Sequence, residues 1–331
     1  VPKGTHTINI PFNTSTECTV SLTAIYSTGP RSRETLFSAK PDTNLYFIYT
    51  PAQLDAVPDN SNYYWIVMAD LDLSGYQTGT GWTPIINFSG TFDGNGYTIS
   101  SLYINNSSGE YQGLFGVMTN ATIKNVHIAG CNITGRSFVG GLAGQIGAGC
   151  TISDCSVSGI INGTGNNIGG FTGQNIGQIN NCSASVNVSF EGNVVTNTGG
   201  FVGLSQGEIS DSFASGTVSL TFTGDDEVER KAGGFCGRTD TGSIIVSCSA
   251  SGNVYGNLAG SLGGFVAVHA SGNINDCFAT GNVSGTAGHA GGFLGMTYSS
   301  ATTDTCFATG NVLITGSKSG ETQVGGFSGV C

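Results

Sequence analysis

A short phrase, Gly-Gly-Phe-x-Gly, returns every 28 to 34 residues through the last two thirds of this 331-residue chain. Seven copies, one with Leu for Phe and one ending in Ala, begin at residues 140, 169, 199, 233, 263, 291 and 325, and QGLFG at 112–116 is a degenerate eighth. A second phrase follows most copies, as in TISDCSVSG at 151–159 and NINDCFATG at 273–281. A fixed period of this length predicts a repeat architecture in which each unit packs on the next.

Each unit holds three short segments of alternating apolar residues, which are separated by Gly, Asn and Asp. This is the pattern of strands and turns. A propeller blade needs four strands in about 40–50 residues, so the shorter unit favours a solenoid. We therefore predict an all-β chain that forms a parallel β-helix (β-solenoid) of three-strand coils, with matching positions of successive coils about 4.8 Å apart.

Composition argues against the competing classes. The 54 glycines disfavour a helical bundle, because each Gly inside a helix costs about 1 kcal/mol relative to Ala. Only 10 Lys and Arg stand against 21 Asp and Glu, and the net charge of -11 disfavours nucleic-acid binding. No apolar run approaches the roughly 20 residues of a membrane span. The cysteine and histidine spacing does not match a zinc site. We expect no cofactor, metal, nucleic acid or membrane span.

Alternation along the strands predicts the side chains that face inward. The hydrophobic residue of each phrase should form a stacked core column, whereas the variable residue after it should face solvent. The paired glycines should mark a corner with positive φ or close backbone approach. Asp154, Asn181, Asp211 and Asp276 should make turn hydrogen bonds at another corner. The core column comprises Leu142, Phe171, Phe201, Phe235, Phe265, Phe293 and Phe327.

The ten cysteines fall into two groups. Five share one inward column, where neighbours about 4.8 Å apart lie within disulfide reach, so we predict Cys155–Cys182 and Cys248–Cys277, or Cys277–Cys306 in place of the second. Five buried thiols in a tight column remain the alternative. By alternation, Cys131 and Cys236 should point outward. The inward column is Cys155, Cys182, Cys248, Cys277 and Cys306. The second group, predicted to pair between chains or to fasten a terminal segment, is Cys18, Cys131, Cys150, Cys236 and Cys331.

The cysteine content predicts an oxidising compartment, and Val1 has the character of a processed terminus. We expect a secreted protein located outside the cell, on its surface or in a sheath. Sequons for N-glycosylation support this prediction, although they could also be bare polar turn residues. The candidate glycosylation sites are Asn13, Asn87, Asn105, Asn106, Asn120, Asn132, Asn162, Asn187 and Asn282.

Three regions are predicted along the chain. Residues 1–45 lack the repeat and should form a β-structured arm or cap, and residues 46–112 form an aromatic-rich lead-in to the β-helix. Residues 113–331 hold the repeats. Because the last unit stops at GGFSGVC, we expect an open end there that pairs with another copy.

The two repeat phrases resemble the GLUG repeat of prokaryotic surface proteins. The lead-in phrases IYTPAQLDAV at 48–57, WIVMADLDLSG at 65–75 and FSGTFDGNGYTISSLYI at 88–104 extend the resemblance over residues 46–331. It implies a parallel β-helix on a cell surface, built from structural repeats without an active site. A departure is the inward cysteine column, where the family usually has Ser. Among such proteins, the size and cysteine content resemble the tubular sheath of filamentous methanogenic archaea.

We predict a structural, self-assembling extracellular protein, such as a sheath, surface fibre or envelope layer. Its main partner would be copies of itself, stacked head-to-tail or laterally into an amyloid-like filament, with other envelope components or glycans as further partners. The alternative is a glycan- or host-binding adhesin, although Trp65 and Trp82 are expected to pack inside.

A polysaccharide-cleaving β-helix is the least favoured function. It would need a carboxylate pair such as Asp154 with Asp211, or Asp276 with Asp304. Their corner positions favour turns, so we predict no enzyme activity. The acidic run at 225–229 is interpreted as a solvated loop.

Overall fold

A computed structural model of the chain describes residues 7–8, 22–23, 44–222, 229–316 and 322–330. The chain divides into two compact units, Val1–Leu45 and Tyr46–Cys331. In the first unit, Thr7–Ile8 pairs antiparallel with Leu22–Thr23. The role of residues 1–45 as an arm or cap stays a prediction. The second unit is a parallel β-solenoid, which confirms the predicted fold class.

Three parallel sheets build the solenoid. Sheet I consists of Phe115–Met118, Ala143–Ile146, Thr172–Asn175, Val202–Ser205, Cys236–Thr239, Val266–His269, Leu294–Thr297 and Ser328–Val330. Sheet II consists of Leu45–Ile48, Tyr64–Val67, Thr91–Asp93, Thr122–Lys124, Thr151–Ser153, Gln178–Asn180, Glu208–Ser210, Ile244–Val246, Gly272–Asn275 and Ala301–Asp304. Sheet III consists of Leu71–Asp72, Thr98–Ser100, Tyr103–Asn105, Glu110–Gln112, His127–Gly135, Ser137–Val139, Ser156–Gly163, Ile168–Gly169, Ser183–Glu191, Thr196–Gly199, Phe213–Ala214, Val218–Thr221, Arg230–Gly233, Ser249–Ala250, Val254–Gly263, Phe278–Ala279, Val283–Gly291, Phe307–Ala308, Val312–Ile314 and Gln323–Gly325.

One turn of the chain visits the three sheets in order. Thr172–Asn175 lies in sheet I and Gln178–Asn180 in sheet II, and the longer segment 183–199 crosses sheet III before the next turn begins at Val202. Successive turns pair in register, so that Ile179 lies beside Ile209 in sheet II. The core therefore consists of columns of like residues, each one strand spacing apart.

The cross-section is more elaborate than a triangle with three short faces. Sheet III bends on itself, and a second hydrophobic cluster lies apart from the main core. Val218 and Leu220 enter this cluster from the first half of sheet III, and Ala232 and Leu262 from the second half. In one turn the strand Val254–Gly263 continues through the bend, with a register irregularity between Gly256 and Ala259. From Phe190 onward the turns thus enclose two cores.

Two kinds of corner let the chain close each turn. At the paired glycines the cause is close backbone approach, because a Cβ on Gly200 would lie 2.1 Å from the carbonyl oxygen of Gly234 in the next turn. At the other corner the backbone is left-handed, with φ of 55° at Asp154, 50° at Asn181 and 53° at Asp276. Asn and Asp tolerate this conformation because their short polar side chains hydrogen-bond locally.

The lead-in region supplies the two short helices, Pro51–Asp55 and the 3₁₀ turn Leu73–Tyr76. The first begins with a capping box between Thr50 and Gln53. The Asp72 side chain caps the second by accepting a hydrogen bond from the Ser74 backbone. Both tryptophans, Trp65 and Trp82, are buried. Neither helix in the described part of the chain has the length and apolar character needed to cross a bilayer.

Candidate functional site

A stack of phenylalanine rings runs along the inside of the solenoid. Phe171, Phe201, Phe235, Phe265 and Phe293 are fully buried, and their ring centroids are 4.7 to 4.9 Å apart with planes within 10° of parallel. Leu142 continues the column in the preceding turn and is also buried. Phe327 stacks on Phe293 at 5.0 Å but stays 37% exposed. Each ring is held by a neighbour from another turn, so the stack joins the turns to one another.

The inward cysteine column lies beside this core. Cys155, Cys182, Cys248 and Cys277 are buried, and Cys306 is partly exposed. Ser212 occupies the equivalent inward position in the turn that lacks a cysteine, and it is also buried.

The eight described cysteines are free thiols in the structure, and disulfide pairing within the inward column stays a prediction. Each thiol in the column donates to the carbonyl two residues earlier, as Cys155 does to Ser153 at 3.0 Å and Cys182 does to Asn180 at 3.1 Å. The side chains of the column therefore lean the same way, and the Cys155 backbone N–H donates to the Cys182 sulfur at 3.4 Å. Burial raises the pKa of the Cys155 thiol, and a hydrogen bond with Cys248, followed by other effects, raises the pKa of Cys277 to about 12.

The outward orientation predicted for Cys131 and Cys236 is wrong. Both are buried, and loss of solvation raises the pKa of each thiol to about 12. A register irregularity between Ile128 and Cys131, with Gly130 at φ 64°, changes the alternation before Cys131. Cys150 is buried too, and Cys18 and Cys331 lie outside the described residues. Pairing between chains through this group stays a prediction, although its three described members are not at the surface.

The prediction that the residue after the phrase hydrophobe faces solvent is also wrong, because this residue is buried in six of the seven copies and partly buried, as Ser328, in the last. The chain bends at the phenylalanine, between the end of a sheet III strand and the start of a sheet I strand. Strand alternation is interrupted at a bend, so two consecutive side chains enter the core. The buried residues of this column are Ala143, Thr172, Val202, Cys236, Val266 and Leu294.

A buried polar column near the end of sheet I was not predicted from the sequence. Asn175, Ser205, Thr239 and His269 are fully buried at positions equivalent to Ile146. The Nε2 of His269 donates to the Thr302 carbonyl at 3.0 Å, which leaves Nδ1 to accept from the Thr239 hydroxyl at 2.6 Å. Burial lowers the pKa of His269. Aligning the repeats three residues beyond the variable position would have placed these residues in one column.

Comparison with known proteins agrees with this geometry. Residues 135–162 and 195–219 match the family model of the GLUG motif. The β-solenoid contains GLUG motifs, and we call it the GLUG solenoid.

Two relatives share part of the GLUG solenoid. A "Putative Gly-rich membrane protein" of Evansella cellulosilytica is 35% identical over 136 residues, and Halomucin of Haloquadratum walsbyi is 38% identical over 109 residues. The matches cover 37% and 31% of this chain but only 16% and 1% of those proteins. The GLUG solenoid is therefore similar to a portion of much longer polypeptides, one of which is named a membrane protein.

A solved structure shares the fold. The crystal structure of a "putative immunoglobulin A1 protease" from Bacteroides ovatus superimposes with a TM-score of 0.60. The match covers 82% of this chain and 84% of that one, at 22% sequence identity. At this identity the likeness concerns the fold alone.

The predicted glycosylation sites of the GLUG solenoid lie mainly on its surface. Asn106 and Asn162 are partly buried, and Asn13 lies outside the described residues. The Asn282 side-chain oxygen accepts a hydrogen bond from the Asn311 backbone in the next turn, 2.9 Å away. Attachment of glycans stays a prediction. The exposed candidates are Asn87, Asn105, Asn120, Asn132, Asn187 and Asn282.

The carboxylates that a polysaccharide-cleaving enzyme would need make hydrogen bonds at the corners of the GLUG solenoid. Asp154 accepts a hydrogen bond from Asn181 at 2.7 Å, and Asn181 is the corner residue between Asp154 and Asp211. Asp276 accepts from Asn275 at 3.2 Å, and Asp304 accepts from the Thr305 backbone. These contacts are those of turn residues.

Two cations beside the acidic run, Arg230 and Lys231, are buried. Lys231 lies 2.8 Å from the carboxylate of Glu229, and this hydrogen bond lowers the pKa of Glu229. The Arg230 guanidinium lies 3.5 Å from the ring centre of Phe222. Residues 225–228 of the run lie outside the described part of the chain, so its interpretation as a solvated loop stays a prediction.

The outer face of sheet II carries a shallow groove. Thr151, Gln178, Asn180, Glu208 and Ser210 line it, and its volume is about 230 Å³. Small-molecule pockets usually measure about 300–1,000 Å³ and enclose most of their ligand. The groove is thus smaller than such a pocket and bordered by polar side chains.

Proposed function

We propose that the GLUG solenoid is an extracellular structural module that forms the stiff part of a sheath, a surface fibre or an envelope layer. The observation that carries this proposal is the continuous register of sheet II, where nine strands from Tyr64–Val67 to Ala301–Asp304 follow one another. Backbone hydrogen bonds between these strands run along the solenoid axis. Bending the rod would strain many of them together, so the repeat gives stiffness.

Composition and the relatives support the same role. Only 9% of the residues are charged, which lets copies pack side by side without leaving many charges unpaired. One relative is named a membrane protein, and a similar segment occurs within the much longer Halomucin. A rigid segment that is repeated or inserted in a long polypeptide at the cell surface would be consistent with both relatives.

Antibody labelling of the native organism tests the location and the role. We expect gold label on the outside of intact cells, and the chain should remain with the envelope fraction after detergent extraction. Label that appears only after permeabilisation, or complete release of the chain by detergent, would contradict the proposal.

Association between copies is a further part of the proposal. Only 9% of the residues are charged, so lateral contact between the sheet faces of two copies would leave few charges unpaired. Sedimentation of residues 1–331 should therefore show oligomers that grow with protein concentration. A single monomeric species at all concentrations would refute self-assembly while leaving the structural role to the labelling experiment.

A further inference from the structure

A column of phenylalanines stands on the outer surface of sheet III. Phe213, Phe278 and Phe307 are 48%, 37% and 52% exposed. In the parallel register, Phe213 is followed by Ser249, then Phe278, then Phe307. The aromatic column is thus interrupted at Ser249, where one turn presents a small side chain instead of a ring.

This interruption creates a slot between two rings. Phe278 and Phe307, in adjacent turns, stack with centroids 5.2 Å apart and planes 6° from parallel. Phe213 and Phe278 are two turns apart, which corresponds to about 9.6 Å between equivalent atoms. Ser249 is partly buried and forms the floor between them. We call Phe213, Ser249 and Phe278 the aromatic slot.

The width of the aromatic slot limits the thickness of an occupant. Carbon–carbon contacts of about 3.5–4.0 Å against each ring use about 7–8 Å of the spacing. The remainder, about 2 Å, accommodates the puckered chair of a pyranose. The C–H groups of a pyranose face would then pack against Phe213 and Phe278.

The groups around the slot are polar and exposed. Asp211 and Asp276 lie two residues before the two phenylalanines, and the hydroxyl residues Ser251 and Thr280 lie in the next outward column. Sugar hydroxyls can replace water on these groups, whereas an apolar protein surface would remove their hydration without compensation. The two carboxylates and the net charge of -11 disfavour an anionic polymer.

We propose that the aromatic slot binds one sugar ring of a neutral polysaccharide, with Phe213 and Phe278 on its two faces and Ser249 beneath it. This site goes beyond the structural role and does not depend on it. A carbohydrate-contacting face would let the rod hold a glycan of the envelope or of a surface to which the cell attaches.

Affinity electrophoresis of the whole chain tests the proposal. Native gels would contain dextran, laminarin, galactomannan or hydroxyethyl cellulose, with dextran sulfate as the anionic comparison. The slot variants are Phe213→Ser, Phe278→Ser and Ser249→Phe. Ser249→Phe fills the slot with a ring. The adjacent Phe278–Phe307 pair shows that neighbouring turns accommodate stacked rings in this register. Tyr255→Ser is the matched control, because Tyr255 is as exposed as Phe213 and lies on the same sheet outside the slot.

We expect at least one neutral polymer to retard the wild-type chain, and each slot variant to weaken that retardation at least tenfold. Tyr255→Ser should change it less than twofold, and circular dichroism should show every variant folded. Binding that survives in Ser249→Phe, or no retardation by any of the four neutral polymers, would overturn the proposal. So would a slot variant that changes the sedimentation of the chain but not its retardation, since the face would then contact protein.

Discussion

Shortening one ring in the middle of the phenylalanine stack should be among the most damaging single changes to the solenoid. Phe235 is fully buried and stacks on Phe201 at 4.9 Å and on Phe265 at 4.8 Å. Replacing a buried Phe by Ala costs about 3–5 kcal/mol, and each lost ring pair adds about 0.5–1.5 kcal/mol that partly overlaps with this value. We expect Phe235→Ala to lower the free energy of unfolding by about 4 kcal/mol.

The matched control is Phe327→Ala, at the same position of the last repeat. Phe327 is 37% exposed and has one stacking neighbour, Phe293, so its loss should cost about 1 kcal/mol. Phe235→Leu should cost about 1.5 kcal/mol, since Leu142 occupies the same column. Urea unfolding followed by circular dichroism measures all three. Equal costs for Phe235→Ala and Phe327→Ala, or less than about 1.5 kcal/mol for Phe235→Ala, would refute the stacking argument.

Three further changes test other parts of the structure. Gly200→Ala should destabilise the chain by about 2 kcal/mol or more, because its Cβ would meet the Gly234 carbonyl, whereas Gly326→Ala, which meets nothing within 4 Å, should be nearly neutral in the same urea assay. Cys131 and Cys236, with thiol pKa values of about 12, should react with iodoacetamide at pH 8 only after unfolding, and mass spectrometry showing modification of either in the native protein would contradict their burial. Because burial lowers the pKa of His269 below its ordinary 6.5, the unfolded chain binds the proton first as pH falls, so stability should decline below about pH 6.5. His269→Thr should reduce that decline, and an unchanged pH profile would show that His269 does not cause it.

The direction of the side chains along a strand could be predicted, because every repeat alternates inward and outward residues in the same way. The sequence places Cys277, Ala279 and Val283 on one side and Phe278 and Thr280 on the other, and their burial follows this division. Asp and Asn at one corner were also recognisable, since few other residues adopt a left-handed backbone without strain. Where a residue type has its own conformational preference, a single sequence is enough to predict its position in the fold.

Alternation alone could not locate the side chains beyond a bend or an irregularity. Cys236 follows a bend at Phe235, and Cys131 follows the irregularity at Gly130, so both face the core against the predicted direction. The spacing of a repeat does not say where the count of alternating residues restarts. The outward orientation predicted for the two thiols was wrong for this physical reason.

The second core and the buried polar column were missed because their residue types vary between turns. The position of Ile146 is taken by Asn175, Ser205, Thr239 and His269, and these polar residues imitate a surface column in the sequence. Only the hydrogen bonds between turns, such as that from Thr239 to His269, make their burial tolerable. Such contacts depend on the register of distant segments, which composition does not encode.

Distances between spin labels test the central claim, that successive turns stack in register with one turn per repeat. Thr302 and the exposed residues Thr151 and Thr122 lie in one column of sheet II, five and six turns apart, and Thr91 lies seven turns from Thr302. Labels on unnatural residues would avoid the native thiols, and pulsed electron resonance would measure the three pairs. Stacking in register predicts backbone separations of about 24, 29 and 34 Å, which rise by about 4.8 Å per turn. Distances that do not increase in this order, or that change by much more than one strand spacing per repeat, would contradict the solenoid.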